Sequence, residues 1–194
     1  MTRRLHTFLT SPPSLSVLVG MLVAGVVLAL QQSGYLEHWE LRAYDVALQL
    51  QPAPDERASP TVVVGITEQD IQRLGSWPLS DEVLQRILAT LLEYQPRVIG
   101  VDIYRNFPVP PGYEQLTRTV AAHANIVMVM KFGSGPLASV PSLPELKETD
   151  QVGFNDLLVD RDGIVRRGLL FLDDGSEHAY SFPLRLSLRS LAKD

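Results

Sequence analysis

Glu68 and Asp102 stand at the ends of two short apolar runs, TVVVGI (Thr61–Ile66) and VIGVDI (Val98–Ile103). Carboxylates so placed can exchange protons as a general acid and base, or hold a divalent cation; the competing role is to cap a turn or helix. A second cluster, DRDGIVRR (Asp160–Arg167), packs two aspartates, a glycine and two arginines into one stretch. An EF-hand calcium loop needs glycine at its sixth position, and counting from Asp160 that position is Val165. A hairpin turn fits better: Asp160 opens it by bonding its own backbone, Asp162 sits inside it, and Gly163 supplies a positive φ. On the strand that follows, Arg166 and Arg167 face opposite sides, which offers one of them to a buried carboxylate and the other to solvent, with Arg166 the first to check for an acidic partner.

Other chemistries lack their residues. The chain has no cysteine, hence no disulfide or thiolate nucleophile, and its four histidines (6, 38, 123 and 178) lack metal-site spacing. Neither a G-x-S-x-G elbow nor a P-loop occurs. GSGPLA (Gly133–Ala138) has the letters of a dinucleotide fingerprint, but Pro136 denies it the helix N-terminus that would hold a pyrophosphate, so it reads as a loop. Seventeen basic against twenty-two acidic residues, a net charge of -5, exclude the basic stripe that nucleic-acid binding requires.

Two carboxylates at strand ends need a sheet to hold them. TVVVGI, VIGVDI and NIVMVMKF are continuous β-branched or apolar runs of the kind expected for strands covered on both faces. SDEVLQRILATLLEY, with Ser80 as cap and a stripe of Leu84, Ile87, Leu88 and Leu91, is predicted to be helical, as is EQLTRTVAAHA with Leu116 and Val120. Right-handed crossovers then give a β-α-β-α-β parallel core, with its ligand site outside the carboxyl ends of the strands. VGFNDLLV, IVRRGLLFL and EHAYSF, separated by DRDG and DDGS turn signals, extend it as an antiparallel meander, and PLRLSLRSLA closes as an amphipathic helix. The fold class is α/β, preceded by one N-terminal transmembrane helix.

That first helix is LSVLVGMLVAGVVLAL (Leu15–Leu30), inside a stretch from Leu5 to Leu36 without formal charge. Its sixteen residues rise roughly 24 Å against a hydrocarbon core of ~30 Å, so the span takes in residues 14–32. Arg3 and Arg4 precede it and Glu37 and Glu40 follow it, which by the positive-inside bias leaves residues 1–13 in the cytoplasm and 36–194 outside. A cleaved signal peptide, with Val27 and Ala29 as its small-residue site, is the competing reading. LEHWELRAYDVALQL forms a linking helix and QPAPDERASP a linker before the domain.

In this order, LRAYDVALQLQP, VVVGITEQDIQRLGSWP, IGVDIYRNF, NIVMVMKF and VGFNDLLVDRDGIVRRGLLF resemble the CHASE2 domain, from Leu36 to the end of the chain. CHASE2 is an extracytoplasmic sensor module of bacterial transmembrane receptors, frequent in cyanobacteria. The resemblance implies a non-catalytic sensor, held between membrane helices that lead to a cyclase or kinase in a longer receptor, anchored in the inner membrane with its main part periplasmic. The partners expected are a small-molecule or envelope ligand, the membrane and a second copy in a homodimer, with no cofactor. Asp102, Asp162 and Arg166 are the motif positions it carries over, and Glu68, Asp102 and Arg166 are the ligand-binding candidates. The chain departs from the family pattern in having Thr67-Glu68 where an Asp-Glu pair ends the first strand, and Asp81 where an arginine follows the Trp-Pro pair. The alternatives are an extracytoplasmic hydrolase that uses Glu68 and Asp102, and a passive envelope interaction module.

Overall fold

The computed structural model describes residues 12–52, 61–133, 139–147, 149–173 and 178–192. Arg3 and Arg4, the QPAPDERASP linker from residue 53, most of GSGPLA and the DDGS turn after Asp173 lie outside the described residues. The chain divides into two compact units, Met1–Val64 and Gly65–Asp194.

The first unit holds α1 (Pro12–Gln32) and α2 (Glu37–Gln49). Within α1, Leu15–Gln32 is long and apolar enough to cross a membrane by length and composition, and none of it is buried. A left-handed Gly34 (φ 77°) ends α1. Its N–H donates to Gln31 O (3.0 Å) and that of Tyr35 to Leu30 O (3.2 Å), the paired bonds that satisfy a helix's last carbonyls. The helix expected over LEHWELRAYDVALQL is present as α2, although it buries no side chain.

TVVVGI is not a strand: Val62 and Val63 are 85% and 87% exposed, and Thr61–Ile66 joins no ladder. Strand propensity is realised only by pairing and burial, and the boundary between the two units falls inside this run, after Val64.

The second unit opens with α3 (Glu68–Leu74), closed at its N-terminus by a reciprocal cap. Asp70 N donates to Thr67 Oγ1 (3.3 Å) while Thr67 N donates to Asp70 Oδ2 (3.0 Å). Then come α4 (Asp81–Glu93), β1 (Ile99–Val101), α5 (Tyr113–Ala122), β2 (Ile126–Met130), a 3-10 turn at Pro144–Leu146 and β3 (Val152–Phe154). The three strands form one parallel sheet in the order β1-β2-β3, with Val101 beside Met128 and Met128 beside Val152. The parallel core is therefore present, but its third member is VGF, expected to lie in the antiparallel meander. Strand alternation explains the difference: Gly153 is the one residue of VGF small enough to face a closely packed helix while Phe154 fills the core.

One sheet face is covered by α4 and α5. Leu84, Leu88, Leu116 and Val120 meet Ile99, Val101, Ile126 and Met128, and Leu143 and Leu146 close the cluster. All ten are under a tenth exposed, each burial being worth about 1.5–3 kcal/mol. The opposite face receives α6 (Phe182–Leu191), capped by Ser181. Gly100 and Gly153 make that approach possible: a Cβ on Gly153 would lie 2.5 Å from Phe182 Cα, and one on Gly100 would lie 2.7 Å from Phe182 Cζ. The buried Gln151 ties the first layer to the sheet, its Nε2 lying 2.9 Å, 3.0 Å and 3.0 Å from the carbonyl oxygens of Val120, His123 and Ile126.

The remaining strands form two separate antiparallel ladders: β4 (Leu158–Val159) with β5 (Val165–Arg167), and β6 (Phe171–Asp173) with β7 (His178–Tyr180).

Candidate functional site

The carboxyl ends of all three parallel strands converge on one group of polar side chains. Asp102 and Tyr104 follow β1, Lys131 follows β2, and Asn155 and Asp156 follow β3. Asn155 is the hub. Its Nδ2 donates to Asp102 Oδ1 (2.9 Å), its Oδ1 accepts from the Tyr104 hydroxyl (2.5 Å), and its own N–H donates to Met130 O (3.1 Å). Asp156 spends both oxygens on backbone, accepting from Phe132 N (2.7 Å) and Gly133 N (2.9 Å), and so fixes the exit of β2. The backbone of Lys131 is held by two bonds with Val140, 2.8 and 2.9 Å long. Tyr104, Lys131, Asn155 and Asp156, with Leu157 and Leu158 as an apolar wall, line an open cleft of about 540 Å³. Ligands of parallel α/β sheets bind at this end of the strands.

Of the carboxylates singled out from sequence, Asp102 is in this network. Glu68 lies elsewhere, exposed in the first turn of α3, where a negative charge favours the positive helix end. It follows no strand, because TVVVGI forms none. In that turn it is Asp70 that makes the cap, and its carboxyl is held below the ordinary value by the Thr67 hydroxyl and N–H.

Arg166 lies in the β4–β5 hairpin. Gly163 N donates to Asp160 O (2.9 Å), Asp160 N donates to Ile164 O (3.0 Å), and Gly163 takes φ 82°, the left-handed conformation that lets the chain reverse before β5. The Arg166 guanidinium, only 4% exposed, donates to Asp160 Oδ2 (3.0 Å) and in a fork to Asp162 Oδ1 (2.9 Å) and Oδ2 (2.7 Å). Arg167, on the solvent side, also reaches Asp160. These arginine bonds hold both carboxyls below their ordinary value, that of Asp162 to about 2. Arg166 is thus engaged by two acids of its own hairpin, an arrangement that stiffens the turn beside Leu158 and the cleft.

A third charged group is buried beneath the loop after β1. Asp81 and Arg105 have side chains 0% and 2% exposed, with Arg105 Nε 3.3 Å from Asp81 Oδ1. Asp81 Oδ2 accepts from Val109 N (2.7 Å) and Arg105 Nη2 donates to Leu79 O (2.9 Å). Burial lowers the Arg105 pKa despite the nearby carboxylate. The pair pins the loop that carries Asp102 and Tyr104 against the start of α4. Asp81 therefore has a buried partner of its own.

Sequence reasoning passed over Tyr104, Lys131, Asn155, Asp156 and Arg105. The signal for Lys131 was there, a lone cation ending IVMVMK; Asn155 and Asp156 were hidden because VGF was read as part of the meander. Among the described residues no group of three or more His, Cys, Asp or Glu side chains is placed to hold a metal ion.

A family model described as the CHASE2 domain matches residues 21–194. No curated protein and no solved structure matches the chain.

Proposed function

The chain belongs to the CHASE2 family of extracytoplasmic sensor domains, and from that premise we propose that its strand-end cleft is the sensing site. The observation that carries the proposal is the convergence of Tyr104, Lys131 and Asn155 from the ends of three strands on one open cleft, with Asp102 bonded to Asn155. A ligand there, a small molecule or an envelope component, changes the output only if it binds two conformations of the domain unequally.

The route outward is short. Asn155 follows Phe154, which forms a bridge with Ser181, the cap of α6; Gly153 rests on the Phe182 backbone. A shift of β3 at the cleft is thereby passed to α6 by backbone contact. In our reading α1 anchors the protein in the inner membrane with the domain on the periplasmic side. The output module is a cyclase or kinase in a longer receptor, working as a dimer.

The test is a fusion of this chain, with membrane helices after it, to a reporter cyclase. Output should respond to extracellular extracts and lose that response in Asn155→Leu. Output that ignores every condition, or a response that Asn155→Leu leaves intact, would sink the proposal.

A further inference from the structure

We infer that the cleft takes a small organic monocarboxylate bearing a hydrogen-bond donor, hydroxyl or ammonium, beside the carboxylate; this rests on the sensing site proposed above. Lys131 carries the first half of the argument. It is half-buried at the end of a buried strand and lines the cleft, yet among the described residues its ammonium has no ion-pair or hydrogen-bond partner. The arginines of this region are matched: Arg105 by Asp81, Arg166 and Arg167 by Asp160. The acid that lines the cleft, Asp156, already has each oxygen on a backbone N–H. A partly desolvated cation facing a cleft is stabilised by an incoming anion.

The rim supplies the second half. Tyr104 gives its proton to Asn155, and Asn155 gives an amide proton to one oxygen of Asp102. The lone pairs of the hydroxyl of Tyr104, which lines the cleft, remain acceptors and call for a donor on the ligand. Charge selects among anions. The carboxylates of Asp102 and Asp156 near the one ammonium repel a phosphate dianion more strongly than a single negative charge. A cleft of about 540 Å³ with Leu157 and Leu158 on one wall accepts such a molecule and a short apolar tail.

The experiment is calorimetric titration of the full chain in detergent with lactate, alanine, propionate, inorganic phosphate and glucose. Lactate or alanine should bind saturably and better than propionate, with affinity at least tenfold weaker in Lys131→Met and unchanged in Arg118→Ala, a solvent-exposed control; melting of both variants should match the parent. Phosphate binding more tightly than the carboxylates, or a carboxylate affinity indifferent to Lys131→Met, overturns the inference. Glucose binding that is lost in Asn155→Leu overturns the carboxylate class while leaving the cleft as the sensing site. No heat from lactate or alanine, with the reporter fusion still responding through Asn155, has the same meaning; no heat with a silent reporter overturns both.

Discussion

Asp81→Asn separates charge from shape at the buried pair under the β1 loop. An asparagine oxygen can still accept the Val109 N–H that Asp81 Oδ2 now accepts at 2.7 Å, so the cap on the loop survives. The negative charge 3.3 Å from Arg105 Nε does not survive, and a guanidinium only 2% exposed is left buried without a counter-charge. Removing one partner of such a pair costs about 3–5 kcal/mol, because the desolvation of the other is no longer offset. For a domain of this size that is a fall in Tm of roughly 10–20 °C. Neither Asp81 Oδ1 nor Arg105 Nε has a hydrogen-bond partner in acceptable geometry, and burial already lowers the Arg105 pKa, so the pair itself is a weak net stabiliser. The double variant Asp81→Asn/Arg105→Met, which fills the arginine volume with an apolar chain, should therefore regain most of the loss and lie within about 2 kcal/mol of the parent. Urea unfolding followed by circular dichroism, run on the parent, both single variants and the double, completes the cycle. A cost below about 1 kcal/mol for Asp81→Asn, or strictly additive effects, would refute the assignment of a coupled buried ion pair.

At the hairpin, the Asp162 carboxyl is lowered from 3.8 to about 2, so its stabilising contribution is complete above about pH 4 and is lost as pH falls towards 2. Asp162→Asn should show a shallower loss of stability between pH 4 and 2 than the parent, measured by urea unfolding across that range; equal slopes contradict the pairing with Arg166. On the α6 side of the sheet, Gly153→Ala meets the Phe182 backbone and should cost about 1–3 kcal/mol, more than Gly100→Ala, which meets only the ends of the Phe182 and Leu186 side chains. The two midpoints in denaturant decide the order, and equal costs would mean that α6 does not rest on Gly153. In the sensing experiments, Lys131→Met should weaken carboxylate binding at least tenfold with melting unchanged, and Asn155→Leu should abolish the reporter's response to extracts.

The helices other than α3 were legible because their signals are local. Ser80 before Asp81-Glu82 and the Leu84–Leu88 stripe produce α4 wherever the chain places it, and the apolar stretch from Leu15 marks α1 by length alone. The DRDG turn was legible for the same reason, since Gly163 bonds back to Asp160 O within the turn, although it is the Asp162 carboxylate, not that of Asp160, that accepts a backbone N–H, from Ile164. Family membership was readable from the order of such local motifs, and the family model bears it out over residues 21–194.

Strand membership was not local. TVVVGI has the stronger strand composition yet stands exposed, while VGF joins the sheet because Gly153 admits Phe182 and Phe154 reaches the core. That exchange alone decides the candidate site: it brings Asn155 and Asp156 to the strand ends beside Asp102 and leaves Glu68 on a helix. Pairings across distant positions, Asn155 with Asp102 or Arg105 with Asp81, depend on which chain ends the packed sheet brings together. Sequence by itself determined the helices other than α3, the turn and the family; only the tertiary structure decided which polar side chains share a cleft, because burial and backbone pairing are properties of the packed sheet and not of any single segment.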